Sequence, residues 1–197
     1  MKLYVVGIDE AGRGPLAGPV AVGAVMFYSD TNFNFKGLTD SKKLTPQGRQ
    51  VWFEKIKQWQ SEGKLRYSVS LVSHTIIDKK GVVSAVKVGI KRCLKKLEAD
   101  SEKVQVFLDG SLYASKEYKK QLTIIKGDEK IPVISLASIA AKVTRDKKMV
   151  ELSKKYPLYG FEIHKGYGTF IHRKAIQNHG LSKIHRKTFC GEVISKK

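Results

Sequence analysis

The stretch GIDEAGRGPLAGPV, from Gly7 to Val20, constrains the fold of this chain more than any other. It lies between the apolar run Leu3 to Ile8 and the valine-rich run Val20 to Phe27, each with the length and residue types of a buried strand. Asp9 and Glu10 fall at the end of the first strand, directly before a glycine-rich loop that carries Arg13. Neighbours in a regular strand point to opposite faces, so the two acids serve one site only if the strand ends or bulges there, which Gly12 and Gly14 make feasible. Such a site invites metal and phosphate.

The rest of the chain supplies elements to pack on these strands. Thr45-Pro46 reads as an N-cap followed by proline at the first helical position, and Trp52, Ile56 and Trp59 recur at helical spacing until Gly63 stops the helix. From Leu65 to Leu71 apolar and polar residues alternate, the period of a strand with one wet face and the last of a meander. A long helix follows, with Val83, Val86, Ile90, Cys93 or Leu94 and Leu97 on its buried side. Val104 to Leu108 and Leu122 to Ile125 are short strands, the first ending at Asp109-Gly110. Helices then span Ser135 to Lys155, stopped before Pro157, and about Thr169 to Asn178, ended by Gly180. Three strands, a helix, two strands and two helices in this order argue for an α/β fold, a mixed sheet with helices packed on it. With no repeat, linker or hinge, residues 1–197 are expected to form one domain, with a C-terminal helical part from about residue 157.

Charge is the informative bulk property. The 37 Lys and Arg outnumber 18 Asp and Glu for a net charge of +19, which points to a polyanionic partner, nucleic acid first. A lysine-rich solvated surface is the plainer explanation, because net charge says nothing about clustering. No apolar run approaches the roughly 20 residues that span a bilayer, and MKLYVVGIDEAG lacks a cleavage region, so neither membrane anchor nor signal peptide is expected and the protein is assigned to the cytoplasm. Cys93 and Cys190 fit no C-x-x-C pattern and are expected to be reduced packing residues.

In a chain with few acids, their placement carries weight. Asp109 ends a central-looking strand, where open sheets place functional groups, although Asp-Gly is also an ordinary turn. Asp146 shares a helical stripe with Ile139, Val143 and Val150, so it is either an ion-pair partner of Lys142 or Arg145 or a metal ligand. If these acids converge, divalent cations must compensate their charge, and all-oxygen ligands suit Mg²⁺ or Mn²⁺. Gly12 to Ala17 also fits the dinucleotide-binding pattern G-x-G-x-x-A, but Gly18, Pro19 and the valine run favour an extended chain where that pattern needs a helix. His164, His172, His179 and His185 match no zinc spacing and are assigned to phosphate contact or the surface; no G-x-S-x-G marks a serine nucleophile.

GIDEAGRGPLAGPV, DSKKL at 40 to 44, FLDGS at 107 to 111, ASIAAKVTRD at 137 to 146, HKGYGT at 164 to 169 and HRKTF at 185 to 189 together resemble ribonuclease HII. The resemblance implies a ribonuclease H-like mixed β-sheet flanked by helices, with a C-terminal helical extension. It implies Asp9, Glu10, Asp109 and Asp146 as the catalytic, metal-binding carboxylates, with two Mg²⁺ or Mn²⁺ ions in the catalytic complex. It implies that Gly12, Arg13 and Gly14 sense a ribose 2′-hydroxyl and that Tyr167 packs at a ribonucleotide-to-deoxyribonucleotide junction. Ser41, Lys42 and Lys43 are expected phosphate contacts, a solvated lysine pair being the plainer account.

The expected activity is endonucleolytic cutting of the RNA strand of RNA/DNA hybrids, and on the 5′ side of single ribonucleotides in duplex DNA, by a monomer. A non-catalytic hybrid-binding module and another nuclease or integrase of the superfamily are the rival readings. Leu136 stands where the family often has alanine, and no sliding-clamp motif of the Q-x-x-[ILM]-x-x-F-F kind is found, so no clamp partner is indicated. The related ribonuclease HIII carries an additional N-terminal domain, for which a motif beginning at residue 7 leaves no room; the reading is therefore HII rather than HIII.

Overall fold

The computed structural model describes residues 3–110 and 112–194; Ser111, the last residue of FLDGS, lies outside them. Strand β1 (Tyr4–Ala11) is the centre of a five-stranded sheet of order β3-β2-β1-β4-β5. It pairs antiparallel with β2 (Val20–Tyr28), which pairs antiparallel with β3 (Arg66–Val72). On its other side β1 runs parallel to β4 (Val104–Asp109), and β4 parallel to β5 (Gln121–Ile124). Helix α1 (Pro46–Ser61) lies in the β2–β3 connection, where its cap, its proline and its tryptophan spacing put it. Helix α2 (His74–Lys96) leads to β4; α3 (Gly127–Lys130) and α4 (Pro132–Lys155) follow β5; and α5 (Phe161–His164), α6 (Phe170–His179) and α7 (Gly191–Ile194) complete the described chain.

The local signals act as written in the sequence. Thr45 Oγ1 accepts the Gly48 N–H at 3.0 Å with Pro46 opening α1, Thr169 caps α6, and α4 stops one residue before Tyr156-Pro157. Helix α4 begins at Pro132, three residues earlier than its periodicity implies, since proline suits the first turn.

Side-chain alternation divides the core. Val6 and Ile8 of β1 face α2 in a cluster with Val22, Val86, Ile90 and Leu94, whereas Val5 faces α4 in a cluster with Val25, Trp52, Ile56 and Ile139. A third cluster joins Leu16, Met149, Phe161, Ile176 and Cys190 at the C-terminal elements. Both cysteines are buried and free. Strand β3 does not have the expected wet face: Ser68 and Val72 are buried beneath α2, where small side chains let Gly89 and Cys93 of the helix approach β2 and β3. Helix α2 breaks at Gly81 (φ 77°); Val83, expected in the core, lies just after the break and is exposed, whereas Val86, Ile90, Cys93, Leu94 and Leu97 are buried as expected.

Helix α4 lies against the opposite face at unusually short range. A Cβ on Gly7 would stand 2.3 Å from the Val133 carbonyl, and one on Gly23 would stand 2.3 Å from the Ala137 carbonyl. The two glycines belong to β1 and β2, so helix backbone rests directly on strand backbone. Gly7→Ala and Gly23→Ala are each expected to cost about 2 kcal/mol or more, since the neighbour is main chain and has no rotamer to give. Thermal unfolding should register a drop of roughly 5 °C or more; Gly14→Ala, with nothing within 4 Å of its added carbon, is the neutral control.

Candidate active site

Pairing between β1 and β4 ends at Ile8 opposite Leu108, so Asp9 and Asp109 come next on adjacent parallel strands and emerge on the same side of the sheet. Strand β1 does not end at Ile8 or bulge; it continues to Ala11 along β2, with Asp9 opposite Gly23 and Glu10 opposite Val22. The expectation of a strand end is met on one side only, because β4 is the strand that stops. Gly23 lets α4 close over Asp9, where Ser138 hydrogen-bonds the carboxylate. Asp109 Oδ1 accepts the Gly127 N–H at 2.7 Å.

The acids perturb one another. Burial first, then the charge of Glu10 with a further contribution from Asp109, pushes Asp9 well above the usual carboxylate range, against the hydrogen bonds from Ser138 and the Glu10 N–H. Burial also raises Glu10, opposed by the Arg13 guanidinium at 3.3 Å, and Asp109 raises it further. Glu10 Oε2 is buried with no hydrogen-bond partner. Asp128, at the start of α3, is almost fully buried and raised by burial, with Asp40 and Asp109 adding to the rise and Lys42 opposing it. Five carboxyl groups, those of Asp9, Glu10, Asp40, Asp109 and Asp128, thus share one region, where Arg13, Lys42 and, at its rim, Lys43 act on them as cations.

Asp146 is not among them. Its carboxylate takes the Lys142 ammonium at 3.0 Å, one turn earlier on α4, and its side chain is partly exposed rather than buried on an apolar stripe. Of the two readings left open for this residue, the ion pair with Lys142 is the one formed. The fourth acid in the field of Asp109 is Asp128, which the sequence hid in a Lys-Gly-Asp-Glu-Lys run resembling a solvated turn.

The DSKKL segment divides. Ser41 is buried and bonds Ser138 at 2.8 Å, so it supports the residue that holds Asp9 instead of reaching outward. Lys42 stands 3.4 Å from Asp128; burial works against its ammonium, yet the charges of Asp128, Asp40 and Asp9 hold it above its usual value. Lys43 turns away to Glu129 at 2.8 Å.

Two guanidinium groups with no carboxylate partner among the described residues lie behind the glycine loop. Arg186, fully buried, donates to the carbonyls of Gly12 (2.7 Å), Arg13 (2.7 Å), Gly18 (3.0 Å) and Pro19 (3.1 Å). Arg145, also fully buried, donates to Pro19 at 2.9 Å, Lys165 at 3.1 Å and Ala17 at 3.4 Å. Gly12 has φ +89°, and a Cβ there would strike the Arg145 side chain. Among the described residues, no acceptor takes the N–H groups of Arg13 and Gly14, both exposed. Tyr167 is exposed, its ring 5.7 Å from the Arg145 guanidinium carbon and 5.9 Å from the Lys142 nitrogen.

Residues 6–192 match the family model described as Ribonuclease HII. A ribonuclease HII of Endomicrobium trichonymphae is 44% identical over 194 residues, covering 98% of this chain and 89% of that one. The chain belongs to the ribonuclease HII family. Membership makes it a ribonuclease H, an endonuclease of the hydrolase class acting on RNA/DNA hybrids. The solved structures agree on the ribonuclease H-like α/β fold. The RNase HII in the PCNA complex from Archaeoglobus fulgidus superposes with a TM-score of 0.78 at 25% identity and 98% coverage of both chains. The RNase H2 from Pyrococcus horikoshii does so at 0.70 and 27%, with 94% of this chain and 93% of that one covered. No helix among the described residues is long and apolar enough to cross a membrane.

The histidines of this ribonuclease HII family member overturn their expected surface placement. His164, His172 and His185 are buried together, His164 stacked on His172 at 4.4 Å between centroids and His172 Nε2 3.0 Å from His185 Nε2; only His179 is exposed. A spacing of eight and thirteen residues across a loop and a helix leaves no periodic signal. Burial drives both His172 and His185 down to about 4. With the folded pKa below the unfolded value of about 6.5, the neutral rings cost nothing above that pH. As pH falls toward 4 the unfolded chain takes protons that the folded one refuses, removing about 1.4 kcal/mol per pH unit for each histidine at full slope. Thermal melts of the parent against the double variant His172→Asn, His185→Gln should therefore show a shallower fall in Tm across this window for the variant.

Proposed function

We propose that Asp9, Glu10, Asp109 and Asp128 hold two divalent ions, Mg²⁺ or Mn²⁺, and that the protein cuts the RNA strand of hybrids and also the 5′ side of a single ribonucleotide in duplex DNA, leaving 3′-hydroxyl and 5′-phosphate ends. The observation that carries the reading is the buried, unpartnered Glu10 Oε2 beside an Asp9 whose charge is destabilised by its own neighbours. Hard oxygen donors with uncompensated charge fit hard cations. Among the described residues no three such side chains stand in metal-holding geometry as they lie, with Glu10 paired to Arg13 and Asp128 to Lys42; the four acids would hold the ions by exchanging these pairs for them. Bound ions supply an activated water and charge compensation at the leaving oxygen of an in-line displacement.

The chain's own residues handle the substrate. Lys42, released from Asp128, lies at the acids and neutralises a phosphate oxygen. The free N–H groups of Arg13 and Gly14 meet the ribose 2′-hydroxyl, on a loop whose carbonyls Arg186 holds from behind. Tyr167 packs against the sugar on the deoxyribonucleotide side, its ring already flanked by Lys142 and Arg145. Asp146 serves by keeping Lys142 in place. The chain acts as one domain and as a monomer in the cytoplasm, removing misincorporated ribonucleotides and RNA primers.

Cutting of duplex DNA carrying one ribonucleotide, with Mg²⁺ or Mn²⁺, tests the reading. Asp9→Asn and Asp128→Asn should each lower the rate at least 100-fold, and Asp146→Asn less than 10-fold; the reverse ranking of the last two would return Asp146 to the site. Asp9→Asn removes a carboxylate that burial disfavours at neutral pH, so its metal-free Tm should rise by about 3 °C while the increment on adding metal disappears. Affinity for an RNA/DNA hybrid should fall steeply and log-linearly with salt, as counterions released by the basic surface demand. A flat response would place the charge elsewhere.

A further inference from the structure

The motif HRKTF has no duty in the cutting reaction, yet its first two residues point at the two recognition elements. Ile184, His185 and Arg186 run beside the far limb of the glycine loop: Gly18 N–H donates to Ile184 O at 2.9 Å, Ala17 bridges His185, and Arg186 N–H donates to Leu16 O at 2.7 Å. From this shared backbone the Arg186 side chain turns to the carbonyls of Gly12 and Arg13. The His185 side chain turns the other way, toward the turn that carries Tyr167.

The hydrogen bonds of the histidines admit one proton order. Ser182 N–H points at His185 Nδ1 at 2.8 Å, so that nitrogen accepts and the proton sits on Nε2. His185 Nε2 lies 3.0 Å from His172 Nε2, which must then accept. The remaining proton of His172 is on Nδ1, 2.8 Å from the Tyr167 carbonyl. His164 completes the support from the same face: its Nδ1 accepts the Gly166 N–H at 3.1 Å, its Nε2 donates to Tyr159 O at 2.7 Å, and its ring stacks on His172. Phe161 lies edge-on to His172 and close to His185 in the same buried cluster, packing both rings in place.

We propose that His185 and His172 are positioning residues that fix Tyr167 relative to the Gly12-Arg13-Gly14 loop, the ordered chain Ser182, His185, His172, Tyr167 setting the distance between the two parts that inspect a ribonucleotide junction. The inference rests on the role proposed above for Tyr167. The chemistry at the acids does not pass through these rings, so their loss should lower discrimination between substrates more than cutting itself. A proton added to either ring would break one link of the chain, His185 to His172 or Ser182 to His185, which is why neutral imidazoles, with one donor and one acceptor each, suit the task.

The test compares kcat/KM on duplex DNA with one ribonucleotide against kcat/KM on a uniform RNA/DNA hybrid for the full chain. His172→Leu should reduce the ratio at least tenfold, and His172→Asn, whose amide nitrogen stands near the Nδ1 position and keeps a donor for the Tyr167 carbonyl, should recover most of it. Equal losses on both substrates, or Asn no better than Leu, would overturn the proposal in favour of plain packing. Tyr167→Ala separates the two readings: if it leaves the ratio unchanged, the role of Tyr167 fails, whereas a low ratio there with an unchanged ratio in His172→Leu sinks the positioning chain alone. Should the leucine variant not fold, ¹⁵N-detected NMR of the parent at pH 7 decides directly, with His172 protonated on Nδ1 and His185 on Nε2 expected and any other pair of tautomers refuting the chain.

Discussion

The approach of α4 to the sheet at Gly7 and Gly23 is the constraint on which the rest of the structure depends. With no side chain at either position, the Val133 and Ala137 carbonyls rest on β1 and β2, and Gly23 is the residue directly opposite Asp9. A helix held at that height brings Ser138 onto the Asp9 carboxylate and Ser41 onto Ser138. Any larger residue at Gly23 would lift the helix, and the hydrogen bond that partly offsets the burial of Asp9 would go first.

Negative and positive charge are buried in separate places and answered differently. Asp9, Glu10, Asp109 and Asp128 gather at the carboxyl ends of β1 and β4, short of cations and raised where burial and mutual repulsion act. Arg145 and Arg186, fully buried behind the glycine loop, donate to main-chain carbonyls, Arg145 keeping one buried nitrogen without a partner, and the charges of Asp146 and Asp78 act on them through space. Burial lowers Arg186 to about 9, with the charge of Arg145 adding to the effect. Carbonyl dipoles therefore take much of the place of counterions there, which leaves the field of two guanidinium groups directed at the glycine loop. The arginines spend most of their hydrogen bonds on shaping the loop.

Much of this was legible in residue order because it is local. The caps at Thr45 and Thr169, the prolines that bound α1 and α4, and the strand carrying Asp9 and Glu10 all act within a few residues of themselves. What escaped was long-range. Asp128 reads as a turn acid until β5 and α3 fold back against Asp109, 18 residues earlier at their hydrogen bond. Asp146 stands on a stripe that reads as inward, but the deeper stripe of α4 is the neighbouring one through Ser138, Ala141, Arg145 and Met149, each buried. Arg186 and the three histidines carry no periodicity, because their partners lie up to 174 residues away. Val83 failed for a different reason: it sits in the first turn after the break at Gly81, while the rest of its stripe, from Val86 to Leu97, is buried.

Helix α4 also measures the distance between cutting and recognition. Ser138 attends Asp9 at one level, and two turns later, about 10 Å along the axis, Arg145 braces the glycine loop and Tyr167. Lys142 and Asp146 pair between and beyond these levels on the same helix. Because the helix is pinned to the sheet by main-chain contact and not by adjustable side chains, that span is rigid. On the roles proposed for the loop and the acids, a 2′-hydroxyl at Arg13 and a phosphate at the acids would have to match a separation fixed by backbone geometry. A substrate of different helical rise would satisfy one and miss the other, so selection would follow from the stiffness of α4 as much as from any single contact.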